Sequence, residues 1–134
     1  MSNNGESRRL PSLKDVLDRV NRAVTDFLFQ PAVKATDVGS TGDSPLHKVV
    51  IWGDVDAAGV LLMHGADINA PGEDDDTPLH RAVASEKVEI VTFLLLKGGD
   101  PDLKNSFGWS ARDSGLVSKI PEIVEAMQKC KPLR

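Results

Sequence analysis

Only one cysteine, Cys130, occurs in the 134 residues, so no internal disulfide can form and a reducing compartment fits. No apolar run approaches the length of a membrane span. The polar start, Met1-Ser2-Asn3-Asn4-Gly5-Glu6-Ser7-Arg8-Arg9, leads into no apolar signal core. These absences point to a cytoplasmic location, with the nucleus as the alternative, and to no membrane role. Positive charge is also in deficit. A net charge of −4 gives no electrostatic reason to attract nucleic acid and suits a basic protein partner better. Missing as well are a Ser/His/Asp order, a Cys/His pairing, a phosphate-cradling glycine loop and a paired set of catalytic acids. Catalysis is therefore not expected, and no cofactor is implied. Hydrophobic residues still make up 40%, and the length suits one ordinary core rather than two generous ones.

What the chain does have is a period. Ser44-Pro45-Leu46-His47 recurs 33 residues later as Thr77-Pro78-Leu79-His80, and a degraded copy, Ser110-Ala111-Arg112-Asp113, begins 33 residues after that. The run from Leu61 through Gly65 to Asn69 keeps the same register with that from Leu94 through Gly98 to Asp102. Thr77 and Ser44 suit a helix N-cap, where a hydroxyl accepts from an orphaned backbone N–H, and the following proline loses nothing by lacking a donor. Second helices are expected at about Val55 to His64, Val88 to Lys97 and Pro121 to Cys130, with apolar residues at helical spacing. Gly65 and Gly98 stand where a helix ends in a left-handed residue. Loop tips follow at Asp37 to Asp43, Ala70 to Asp76 and Leu103 to Trp109. Gly42 and Gly108 hold the tight-turn position there, and Asp75 replaces glycine in the middle tip.

A 33-residue period carrying T-P-L-H resembles the ankyrin repeat, from about Thr36 to the C-terminus. The resemblance implies an all-α solenoid of about three turn–helix–helix units with β-hairpin-like loops. It also implies a concave face that usually binds other proteins. The repeats would fall at about 36–69, 70–102 and 103–134. Leu46 and Leu79 would point into the stack, and His47 and His80 would fill the motif histidine that hydrogen-bonds the neighbouring loop backbone. A metal pair between those histidines lacks a cysteine or third histidine at ligand spacing.

Residues 12–35 carry no repeat motif. Ser12-Leu13-Lys14-Asp15 approximates a capping box, and Leu13, Val16, Leu17, Val20, Val24, Phe27 and Leu28 lie on one face of a helix ending before Pro31. The simplest reading is an N-terminal capping helix over the open end of the stack, behind a disordered segment 1–11. A detachable amphipathic helix that engages a partner is the alternative.

Candidate protein-binding residues are those the scaffold does not need. The acidic run Glu73-Asp74-Asp75-Asp76 lacks calcium-loop spacing and is either a solvated turn or a binding tip for Lys or Arg, through Glu73, Asp74 and Asp76. Family register places Ile51 and Trp52 at variable groove positions, equivalent to Ala84-Ser85 and Val117-Ser118. Trp52 reads either as a binding hot spot or as cover for the seam with the N-terminal helix. Phe107 and Trp109 sit on the third tip. Lys48 and Arg81 occupy matching positions and suggest a basic strip behind an acidic, aromatic rim. Together these imply a non-enzymatic, monomeric module that binds a protein partner with a basic surface through the groove (Lys48, Ile51, Trp52, Arg81, Ser85) and the tips (Glu73, Asp74, Asp76, Phe107, Trp109). A stoichiometric inhibitor of one partner, an antitoxin-like immunity protein and an adaptor bridging two proteins all fit. An enzyme accessory or metal-responsive factor is the alternative of another class.

Overall fold

The computed structural model describes residues 9–28 and 30–131, so the disordered segment expected over 1–11 lies mostly outside the described residues. Seven α-helices occur among the described residues: α1 Leu13–Ala23, α2 Pro45–Ile51, α3 Val55–Met63, α4 Pro78–Ala84, α5 Val88–Leu96, α6 Ala111–Leu116 and α7 Pro121–Lys129. No strand is formed among them; a single isolated antiparallel bridge, Lys104 to Ser110, is the sheet-like pairing in the third loop. The fold is an all-α repeat stack. First helices pack on one another in the order α2, α4, α6, and second helices in the order α3, α5, α7.

The starts of α1, α4 and α6 are chemically specified. The Ser12 hydroxyl accepts from the Asp15 amide at 3.0 Å while the Asp15 carboxylate accepts from the Ser12 amide at 3.3 Å, a complete capping box. At α4 the Thr77 hydroxyl accepts from the His80 amide at 3.3 Å, and at α6 the Ser110 hydroxyl accepts from the Asp113 amide at 3.0 Å. The ends are specified too. Ala66 N–H donates to Leu61 O at 3.0 Å and Gly65 N–H to Leu62 O at 3.2 Å, the paired bonds that close a helix through a left-handed residue; Gly65 has φ 93°. Gly98 and Gly99 repeat this after α5. The second helices each finish one residue earlier than the spacing suggested, with His64, Lys97 and Cys130 as caps.

Helices of six to nine residues are too short to persist alone, so packing must hold them. Leu46, Val49, Val50, Leu79, Ala82 and Val83 of the first helices are buried. So are Ala57, Ala58, Leu61, Ile90, Val91, Leu94, Ile123 and Met127 of the second. Helix α1 packs against both α2 and α3, burying Val16, Leu17 and Val20.

The N-terminal helix is shorter than expected. It stops at Ala23, Val24 is extended at φ −129°, and a single 3-10 turn, Thr25–Phe27, follows. The β-branched pair Val24-Thr25 disfavours continuation. The turn also places Asp26 where it meets Thr41 and Lys48 at 2.7 and 2.6 Å. Phe27 remains buried, but Leu28 is 62% exposed and does not share the buried face. Beyond the turn, the Asn21 side chain clasps the Ala32 backbone through both its oxygen and its nitrogen, at 2.8 and 3.0 Å.

Two substitutions check this account by chemical denaturation. Leu79→Ala should cost about 2–5 kcal/mol, because it opens a cavity at a fully buried site between repeats. Glu86 is held at φ 57° where the preceding repeat has Gly53 at 71°, so Glu86→Gly should stabilise by about 0.5 kcal/mol, the left-handed strain relieved exceeding the entropy that glycine adds.

Candidate protein-binding surface

Three loops project from the stack as equivalent fingers, each closed by the same pair of bonds. One runs from Gly42 N–H to Gly39 O at 3.0 Å, from Asp75 N–H to Gly72 O at 2.9 Å and from Gly108 N–H to Asn105 O at 3.0 Å. Gly39 N–H donates to Asp43 O, Gly72 N–H to Asp76 O and Asn105 N–H to Trp109 O, all at 2.8 Å and all 33 residues apart. The turn residue is left-handed in each: Gly42 at φ 96°, Asp75 at 59° and Gly108 at 83°. Asp75 therefore does what the sequence requires of it, and Asp74 joins it at 58°.

The motif histidines fasten finger to helix. His47 Nδ1 accepts from the Ser44 amide at 3.1 Å, so its proton sits on Nε2 and is donated to Asp76 O at 2.8 Å. His80 makes the same bonds one repeat later, accepting from Thr77 N–H at 2.9 Å and donating to Trp109 O at 2.9 Å. Both rings are thus occupied by backbone. Among the described residues, no group of three or more His, Cys, Asp or Glu side chains is placed to hold a metal ion. Third in the series, Asp113 substitutes for histidine and its carboxylate turns back to the Ser110 amide at 3.0 Å.

A ladder of charges runs beneath the fingers. Lys48 Nζ lies 2.6 Å from Asp26 and 3.0 Å from Asp43. Arg81 grips Asp43 with two nitrogens, at 2.7 and 3.0 Å, and reaches Asp76 at 3.2 Å. Asn105 then donates to the other oxygen of Asp76 at 2.9 Å. Burial of Asp43 acts to raise its pKa, but the Glu73 amide, Arg81 and Lys48 outweigh that and hold it at about 2. Burial likewise opposes ionisation of Lys48, yet Asp26 and Asp43 keep its pKa above the ordinary value. Gly72 must be glycine, since a Cβ there would overlap Asp43 and His47.

This ladder changes the standing of two expected groove residues and one expected tip residue. Lys48 and Arg81 face inward across the repeats, paired and mostly covered, and Asp76 is split between Arg81 and Asn105. The expected basic strip is internally neutralised. Trp52 is packed against the core, with the Arg19 guanidinium of α1 4.4 Å from its ring centroid and Arg19 in turn 2.5 Å from Asp54, so it covers the seam between α1 and α2. Ile51 is exposed at the end of α2, and Ser85 is half-buried as the C-cap of α4.

Two of the expected tip groups stand together in the open. Glu73 and Asp74 are exposed, and no ion pair reaches either carboxylate among the described residues. Phe107 and Trp109 are 70% and 49% exposed although both belong to a hydrogen-bonded turn. Asn105 Oδ1 accepts from the Phe107 and Trp109 amides, each at 3.0 Å. Sequence reasoning placed Val117 at a groove position without marking it for binding; it is 73% exposed and lines a shallow, open depression with Asn105, Phe107, Trp109 and Ser114. It also missed Asp43 and Asp26. Only Asp43 carried a signal, the recurrence of an acid five residues before Lys48 (Asp43) and before Arg81 (Asp76).

This architecture is a short repeat stack with hydrogen-bonded, projecting fingers. The chain belongs to the ankyrin-repeat family. The family model for ankyrin repeats in three copies matches residues 17–105, well over half of the chain. The match begins within α1, ahead of Thr36, and ends at Asn105, ahead of α6 and α7, which nonetheless continue the two helix rows in space. No curated protein matches the chain. Ankyrin repeats are generally protein–protein interaction modules. No helix among the described residues is long and apolar enough to cross a membrane.

Acid should loosen the stack in two stages. Burial depresses the pKa of His47 below the ordinary 6.5, so the unfolded chain takes up a proton that the folded one resists, and stability falls as pH drops below 6.5. Asp43 contributes stability that is complete above the ordinary 3.8 and is lost as pH falls toward about 2, a loss of about 2 kcal/mol. Urea midpoints measured from pH 7 to pH 2.5 should decline monotonically, and His47→Gln should flatten the part above pH 5. Asp43→Ala at pH 7 should cost roughly 3 kcal/mol by leaving Arg81 and Lys48 without their shared anion.

Proposed function

We propose that the chain is a non-enzymatic, monomeric binder of one protein partner, acting in the cytoplasm or nucleus as a stoichiometric inhibitor that covers a functional face of that partner. The observation that carries this reading is the third finger. Phe107 and Trp109 project into solvent, yet Asn105, Gly108 and His80 fix their turn by hydrogen bonds. Exposed apolar side chains held in one conformation cost the free protein solvation but lose little entropy on binding, the combination found at interface hot spots. The acidic second finger beside them favours a basic partner surface and faster encounter with it. Helix α1 serves as the N-terminal cap: with Val16, Leu17 and Val20 buried on α2 and α3, its removal would bare the end of the core.

The partner is found by capture from the source cell and tested by titration. Trp109→Ala and Phe107→Ala should each weaken its binding by about 2 kcal/mol, mostly through faster dissociation, while thermal unfolding hardly moves. Trp52→Ala should show the reverse, lowering the melting temperature and sparing affinity, because Trp52 packs on the core beneath Arg19. An inhibitor should abolish one partner's activity at a 1:1 ratio; two partners held at once would make the chain an adaptor. Binding untouched by both finger variants would refute the reading of this face.

A further inference from the structure

The second and third fingers form one continuous surface. Ser106 N–H donates to Asp74 O at 2.9 Å and its hydroxyl donates to the Asp75 carboxylate at 3.0 Å, while Asn105 donates to Asp76 at 2.9 Å. The acidic turn and the aromatic turn are therefore in direct contact. Beside them lies a shallow, open apolar depression lined by Asn105, Phe107, Trp109, Ser114 and Val117. Glu73 and Asp74 on the acidic turn make no ion pair among the described residues, while Lys48 and Arg81 are held by Asp26, Asp43 and Asp76.

Resting on the proposed use of this face for protein binding, we infer that its occupant is a partner segment carrying one bulky apolar side chain and, a few residues away, a lysine or arginine. The apolar group seats between Phe107, Trp109 and Val117, and the cation meets Glu73 and Asp74. Neighbouring repeats lie about 10 Å apart, a distance that about three extended residues span. The charge argument is one of subtraction: the chain neutralises its ladder internally and leaves the tip acids uncompensated beside apolar surface. Anionic surfaces such as nucleic acid or acidic lipid would be repelled by those carboxylates, and a purely apolar segment would leave them without counter-charge.

Selection of a random twelve-residue peptide library on the immobilised protein tests this, with counter-selection on the Phe107→Ala/Val117→Ser double variant. Enriched peptides should pair Trp, Phe, Leu or Ile with Lys or Arg two to five residues away. Synthetic copies should bind wild-type protein at least tenfold more weakly when salt rises from 50 to 500 mM. They should lose at least tenfold on Glu73→Ser/Asp74→Ser. Peptides that are apolar without a base, peptides rich in Asp or Glu, salt-independent binding, or no enrichment over the double variant would each overturn the inference. The wider reading of the face fails separately, if the natural partner ignores Trp109→Ala.

Discussion

A single ankyrin unit cannot bury its own apolar side, and everything else in this molecule follows from how one unit is fastened to the next. The fastening is the histidine clasp. His47 reaches across to Asp76 O, and His80 to Trp109 O, so the helix of one repeat holds the finger of the following one. Leu46 and Leu79 supply the burial that drives stacking, but burial has no direction. The clasp and the charge ladder beside it give the stack its register, because hydrogen bonds are directional and join particular groups on neighbouring repeats.

That register is what turns a stack into a surface. Fingers anchored at their base by a buried ring, and closed at their tip by paired backbone bonds, can hold apolar side chains out in water without collapse. The ladder has a second consequence. By spending Lys48 and Arg81 on Asp26, Asp43 and Asp76, it removes positive charge from the face and leaves the acid of the second finger to dominate. A group that looks available for a partner is in fact holding the scaffold, while its absence from solution defines the field a partner meets.

The period, the caps, the glycine ends of α3 and α5 and the left-handed Asp75 were all legible in the residues, because each depends on neighbours close in sequence. Histidine pairing with the next finger was legible only through the family resemblance. Lys48 and Arg81 were legible as matching positions, but the pairing of Lys48 with Asp26 and of Arg81 with Asp43 of the preceding finger was not, since a long cation's direction is set by where its counter-charge lies. Trp52 carried two readings that its sequence position could not separate, and the Arg19 stacking from α1 favours the seam. The early end of α1 at Ala23 was hidden because Val24, Phe27 and Leu28 keep helical spacing while the backbone departs from it.

The central claim is that the third finger is rigid before any partner arrives. Backbone ¹⁵N relaxation on the free protein tests it most directly. Amides of Asn105 to Trp109 should show order parameters of about 0.85, equal to those of the helices, and His80→Ala should lower them by removing the bond to Trp109 O. Values below about 0.6 in the wild-type protein would contradict the account, since a mobile finger would have to be ordered by its partner.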